Sequence, residues 1–151
     1  MKITLFQPDI AQNLGAAMRL CACFGVPLAI IEPCGFPLTA KALRRTAMDY
    51  GATVDLIRHK TWSDFADNES QHGNRIVLLS TKAAVPITKF KFRPNDTLLF
   101  GRESSGVPGY VHEHADEKII IPLNGDARSF NLVTSASIAL FEALRQTGGL
   151  E

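Results

Sequence analysis

The chain has 151 residues, 46% hydrophobic and 21% charged, which excludes a disordered or fibrous chain and suits one soluble globular domain spanning 1–151. Sixteen Lys and Arg against fifteen Asp and Glu leave a net charge of +1, so no overall cationic field attracts nucleic acid, and any RNA contact must come from local clustering or from two joined copies. No apolar run approaches the ~18 residues of a membrane span, and Cys21, Cys23 and Cys34 suit neither a disulfide framework nor a zinc site. The expected setting is therefore the reducing cytoplasm, with no membrane and no metal.

In chain order, Ile3, Leu5 and Phe6 predict a short strand that Gln7-Pro8-Asp9 ends by turn chemistry. Asn13 is placed to cap a helix over 13–24, with Leu14, Ala17, Met18 and Cys21 at helical spacing and Gly25 closing it. The apolar run 28–31 reads as a strand buried on both faces. A helix over 39–48, a strand near 53–57 and a short helix after Thr61 follow. Two more buried-type strands lie at 76–79 and 97–100, and the last at 118–121. The final helix, 131–146, carries Leu132, Ala136, Ala139, Leu140 and Ala143 on one face. This alternation predicts an α/β domain with a mainly parallel sheet flanked by helices.

In such sheets ligands settle beyond the carboxyl ends of the strands, and three unusual segments lie there. The first, Gln12-Asn13-Leu14-Gly15 through Arg19, puts an arginine about one turn inside an apolar helix. Helix starts favour anions, and a guanidinium fork can extend such a site to a phosphate. The second, Phe100-Gly101-Arg102-Glu103-Ser104-Ser105-Gly106-Val107-Pro108, has glycines that let backbone approach a ligand, without the pattern of a P-loop or dinucleotide fingerprint. The third, Ile121-Pro122-Leu123 to Arg128-Ser129-Phe130-Asn131-Leu132, gathers a charge, a hydroxyl and an amide at one helix mouth. A surface ion pair, a tight turn and an N-cap account for the three taken singly.

Taken in order, Asn13-x-Gly15…Arg19, Gly101-x-Glu103-x-x-Gly106-x-Pro108 and Ile121-Pro122…Arg128-Ser129-x-Asn131-Leu132 resemble the SPOUT RNA methyltransferases, and among them the short tRNA wobble-nucleotide 2′-O-methyltransferases. Glu32-Pro33, Leu43-Arg44-Arg45, Asp49-Tyr50, Thr81-Lys82 and Glu142…Arg145-Gln146 fit the same pattern, which departs at Arg102, where relatives often carry Pro.

The resemblance implies a C-terminal trefoil knot, a feature no periodicity would disclose. It implies S-adenosylmethionine held by Leu79, Gly101, Ile121, Leu123, Ser129 and Leu132, with the site built at a homodimer interface. It further implies Arg19 as the group that grips the target phosphate and assists loss of the hydroxyl proton, Ser129 and Asn131 as orienters, and Glu103 as the residue that positions Arg19 or its loop. A guanidinium is a poor base, so Arg19 is read as stabilising the developing alkoxide, in its own subunit or across the dimer.

For the tRNA anticodon stem-loop, Lys41, Arg44 and Arg45 share one helix face. Lys89, Lys91 and Arg93 form a second basic stretch, whose interleaved Phe90 and Phe92 suit stacking by loop bases. The expected activity is ribose 2′-O-methylation of the wobble nucleotide, cytidine or modified uridine. A non-catalytic RNA-binding module, methylation of another RNA such as rRNA, and a flavodoxin-like nucleotide binder are the alternatives.

Overall fold

The computed structural model describes residues 1–50 and 53–150. Strand and helix alternate as β1 (Lys2–Phe6), α1 (Ala11–Phe24), β2 (Leu28–Ile31), α2 (Ala40–Ala47), β3 (Leu56–His59), α3 (Trp62–Gln71), β4 (Arg75–Leu79), β5 (Val85–Pro86), β6 (Asp96–Phe100), α4 (Gly109–His114), β7 (Glu117–Ile120) and α5 (Leu132–Thr147). A 3₁₀ turn, Met48–Tyr50, extends α2.

All strand pairings are parallel, in the order β3-β2-β1-β6-β4-β7-β5. The chain goes out to the edge at β5, returns to place β6 between β1 and β4, and then inserts β7 between β4 and β5. Alternate strand residues face opposite sides. Ile3, Leu5, Leu28, Ile30, Val77 and Leu98 meet Leu14, Ala17 and Met18 of α1 and Ala136, Ala139 and Leu140 of α5. Phe6, Ile31, Ile76, Leu78 and Leu99 meet Phe65 of α3 and Val111 of α4. Burial on both faces explains why these strands read as unbroken apolar runs.

Charges collect at the amino ends of the strands. Glu69, fully buried, pairs with Lys2 and accepts bonds from Thr97 and from Asn74 Nδ2 at 3.2 Å. Arg75 grips Asp96 through Nε and Nη2, each 2.8 Å from a carboxylate oxygen.

Several boundaries differ from the sequence reading for identifiable reasons. α1 starts at Ala11 with Ile10 in the N-cap position and no side-chain cap, so Asn13 lies inside the helix and does not cap it. The strand expected over 53–57 is shifted to Leu56–His59, because pairing Leu28 with Leu56 and Ile31 with His59 sets its register. α4 and β5 escaped the reading, being six and two residues long, too short for a periodic signal. Gly25 does close α1, in the left-handed conformation at φ 64°. No helix among the described residues is long and apolar enough to cross a membrane.

α1 and α2 approach closely at Gly15, where an added Cβ would lie 2.3 Å from the Thr46 carbonyl oxygen. A backbone atom cannot swing aside as a side chain can, so Gly15→Ala forces the helices apart. The substitution is expected to cost about 1–3 kcal/mol, read as a lower urea midpoint at unchanged slope; an unchanged midpoint would contradict the close packing.

Candidate active site

The loops at the carboxyl ends of β4, β6 and β7 enclose a cavity of about 860 Å³, within the usual range for small-molecule sites. Leu79, Gly101, Ile121, Leu123, Ser129 and Leu132 all line it, as do Glu103, Asn131 and Asn13. Leu79 ends β4, Gly101 follows β6, and Leu132 opens α5. Gly101 is forced by geometry, since a Cβ there would lie 2.7 Å from the Gly106 Cα. The two glycines close a narrow loop, Arg102 and Gly106 exchanging N–H···O bonds of 2.9 Å.

One side chain joins the three segments. Asn13 Nδ2 donates to Glu103 Oε1 at 3.1 Å, and Asn13 Oδ1 accepts from Asn131 Nδ2 at 3.1 Å. Glu103 Oε2 accepts the Asp9 amide at 2.7 Å. Asn131 Oδ1 caps α5 by accepting from Val133 N at 2.8 Å and Thr134 N at 3.4 Å. Asn131 is therefore both an N-cap and a link in the network.

A second clasp lies beside it. Both nitrogens Nη2 and Nε of Arg102 donate to Asp9 Oδ1, at 2.8 and 3.2 Å, while Asp9 Oδ2 accepts from Ser104 Oγ at 2.6 Å and Ser104 N at 3.1 Å. Three successive loop residues thus hold one residue of the β1–α1 turn. Donors from Ser104, then Arg102, hold the Asp9 carboxyl below the usual carboxylate range. Sequence reasoning passed over Asp9, for which the Pro8-Asp9 turn was the available signal.

Arg19 stands apart from this cluster. With α1 starting at Ala11, it lies more than two turns into the helix, beyond the reach of the helix-terminal field. It is exposed and does not line the cavity, and Glu103 holds the loop through Asp9 and Asn13 without touching Arg19. Its guanidinium carbon instead lies 5.2 Å from the centre of the Tyr50 ring.

Lys41, Arg44 and Arg45 are exposed on α2. Lys89 and Lys91 are exposed too, but at the other end of the sheet: Arg75, the first residue of β4, donates to the Lys91 carbonyl at 3.0 Å, whereas the cavity lies at the last. The stacking expectation for Phe90 and Phe92 is overturned. Both rings are buried, in edge contact at 4.8 Å, and Gln146 fixes the segment by bonding Phe92 N at 2.9 Å and Phe90 O at 3.1 Å. Alternation of aromatic and basic residues here is the two-residue period of extended backbone, aromatics inward. No cluster of metal-binding side chains occurs among the described residues.

Residues 1–141 match the model of the SpoU rRNA Methylase family. The chain belongs to that family. This SpoU methylase is 52% identical over 148 residues to a tRNA (cytidine(34)-2′-O)-methyltransferase of Beijerinckia indica, an alignment covering 98% of this chain and 92% of the relative. A solved structure described as giving structural insights into the 2-OH methylation of C/U34 on tRNA superposes with a TM-score of 0.89 at 36% identity, covering 96% of this chain and 94% of that one. A SpoU methyltransferase of Streptomyces viridochromogenes in complex with AdoMet shares the fold alone, with a TM-score of 0.83 at 21% identity over 97% of this chain and 57% of that one.

The Asp9 clasp gives the SpoU methylase a pH signature. A carboxyl held below its unfolded value stabilises the fold fully above that unfolded value, about pH 4, and the contribution fades as pH falls through the lowered one. Asp9→Asn is expected to melt below wild type at pH 7, with the gap narrowing towards pH 2. A constant gap in calorimetry would show that the Asp9 charge carries no part of the clasp.

Proposed function

We propose that this chain transfers a methyl group from S-adenosylmethionine to the ribose 2′-oxygen of nucleotide 34 of tRNA, acting as a cytoplasmic homodimer. The observation that carries the reading is the meeting of Asn13, Glu103 and Asn131 at the wall of a cavity whose lining includes Leu79, Leu123 and Leu132. The names of the Beijerinckia relative and of the structure at 36% identity support the substrate. The family description speaks of rRNA, and the test below separates the two substrates.

The cavity fits the cofactor. It has volume to spare for a nucleoside joined to an amino acid, apolar walls for a purine, and polar groups from Ser129 and Asn131. His112 lines it too, and its buried Nε2 has no hydrogen-bond partner among the described residues. The bound cofactor supplies an electrophilic methyl, whose bond to sulfur breaks as a bond to the ribose oxygen forms. The chain's part is alignment, and holding nucleophile and electrophile in line can account for about 7–11 kcal/mol of barrier. Gly101, Ile121, Leu123 and Leu132 seat the cofactor; Asn131, anchored through Asn13 to Glu103, and Ser129 orient the sugar.

Arg19 stabilises negative charge developing on the 2′-oxygen and stays protonated, while the proton of the substrate hydroxyl passes to the nucleotide's phosphate. Because Arg19 lies outside the cavity of its own chain, it serves the cavity of a second copy. Ile10 and Phe130, on the cavity rim, are 43% and 41% exposed, and Phe141 of α5 is 51% exposed. A second subunit covering them removes that apolar surface from water. Lys41, Arg44 and Arg45 of both copies then form the RNA face, extended by Lys89 and Lys91 where the substrate reaches round the sheet. The interleaving of β4, β5, β6 and β7 supports a chain threaded as a trefoil knot.

Incubation with methyl-labelled cofactor and either tRNA or rRNA, followed by mass mapping of digests, is expected to place one 2′-O-methyl group on nucleotide 34. Label only in rRNA, or at another tRNA position, would overturn the assignment. Arg19→Ala should lower the rate on the order of 10²–10³-fold while leaving cofactor affinity unchanged.

A further inference from the structure

We propose that Tyr50 is a positioning residue for Arg19, holding the guanidinium by its ring face so that charge and donors stay available to substrate. The inference rests on the reading of Arg19 given above and adds the group that orients it.

Arg19 presents a problem that its surroundings must solve. An exposed arginine has a long stem with many rotamers, and a group that stabilises a transition state has to be held near its productive geometry. A carboxylate would do this, but it would offset the positive charge and occupy the N–H groups. Among the described residues, no carboxylate pairs with Arg19. What lies against it is the Tyr50 ring, 5.2 Å from Cζ to centroid and inside the range of about 6 Å for a cation over an aromatic face. Such a contact restrains the plane of the guanidinium, leaves its edge donors free, and preserves its charge.

The placement of Tyr50 follows from the packing of α1 on α2. Gly15 and Arg19 lie four residues apart, on one side of α1. At Gly15 the Thr46 carbonyl comes so close that no side chain fits. The chain leaves α2 through the Met48–Tyr50 turn, which packs on α1, and this delivers Tyr50 under Arg19. The Thr53 amide donates to the Tyr50 carbonyl at 3.1 Å, which fixes the far side of the turn. Gly15 against Thr46 and Arg19 over Tyr50 are therefore successive contacts along one seam. The same α2 exposes Lys41, Arg44 and Arg45, so the seam fixes Arg19 relative to the basic face.

The test is a kinetic cycle on the full-length protein in single-turnover methylation of tRNA. Tyr50→Phe retains the ring and is expected to stay within about twofold of wild type, whereas Tyr50→Leu should lower the rate about tenfold with the KM for S-adenosylmethionine unchanged. In an Arg19→Ala background, Tyr50→Leu should add no further loss, since a residue acting through Arg19 has nothing left to position. A wild-type rate for Tyr50→Leu, or an equal loss in both backgrounds, overturns the proposal. Full activity of Arg19→Ala overturns the role of Arg19 itself and takes the role of Tyr50 with it, a result distinct from failed coupling. If Tyr50→Leu does not fold, proton NMR of wild type and Tyr50→Trp keeps the question open to refutation: the Arg19 Hδ resonances should be ring-shifted upfield, more so over Trp, and unshifted resonances would refute the contact.

Discussion

The site depends on the amide of Asn13. It presents a donor to a carboxylate oxygen of Glu103 and an acceptor to the amide of Asn131, and a primary amide is the side chain that can do both at that length. An aspartate at position 13 would set two carboxylates against each other, and a leucine would leave Glu103 and Asn131 each short of a partner beside a buried position. Through this one group the start of α1, the glycine-bounded loop after β6 and the start of α5 keep fixed distances. The cavity wall is thus a consequence of a hydrogen-bonded junction as much as of apolar packing.

Around that junction, polar chemistry is divided between the two ends of the sheet. At the amino ends, Lys2 with Glu69 and Arg75 with Asp96 are paired and largely removed from water. Truncating one member would strand a charge, so these pairs hold β1 to α3 and β4 to β6. At the carboxyl ends the Asp9 clasp ties the loop, while the exposed cations of α2 and Arg19 form no ion pair among the described residues. A nearly neutral chain thereby shows a local positive face, the arrangement that its composition required of any RNA-binding reading.

Much of this was legible from residues alone. Apolar runs located the buried strands to within a residue or so, Thr39, Thr61 and Asn131 marked helix starts, and Gly25 marked a helix end. The cavity-lining residues followed from family resemblance, because a loop built of backbone and small apolar groups has no composition of its own. An asparagine ahead of an apolar helix usually caps it, but Asn13 serves residues 90 and 118 positions away, beyond any local rule. Phe90 and Phe92 look like a nucleic-acid motif when charge is considered and like an edge of the core when period is considered, and Gln146 decides for the core. The depth of Arg19 in α1 turned on the N-cap, which is Ile10 and lies three residues before Asn13, adding most of a turn between Arg19 and the helix start.

The bond between Asn13 and Asn131 spans 118 residues of sequence, and β6 must slot between two strands that precede it. A nascent chain emerging from a ribosome therefore lacks the wall supplied by Ser129, Asn131 and Leu132 until its last helix begins to appear. Without the segment from Arg128 onward, β1, β4 and β6 have their partners but the cavity lacks one wall. Closure of the cavity therefore waits on α5.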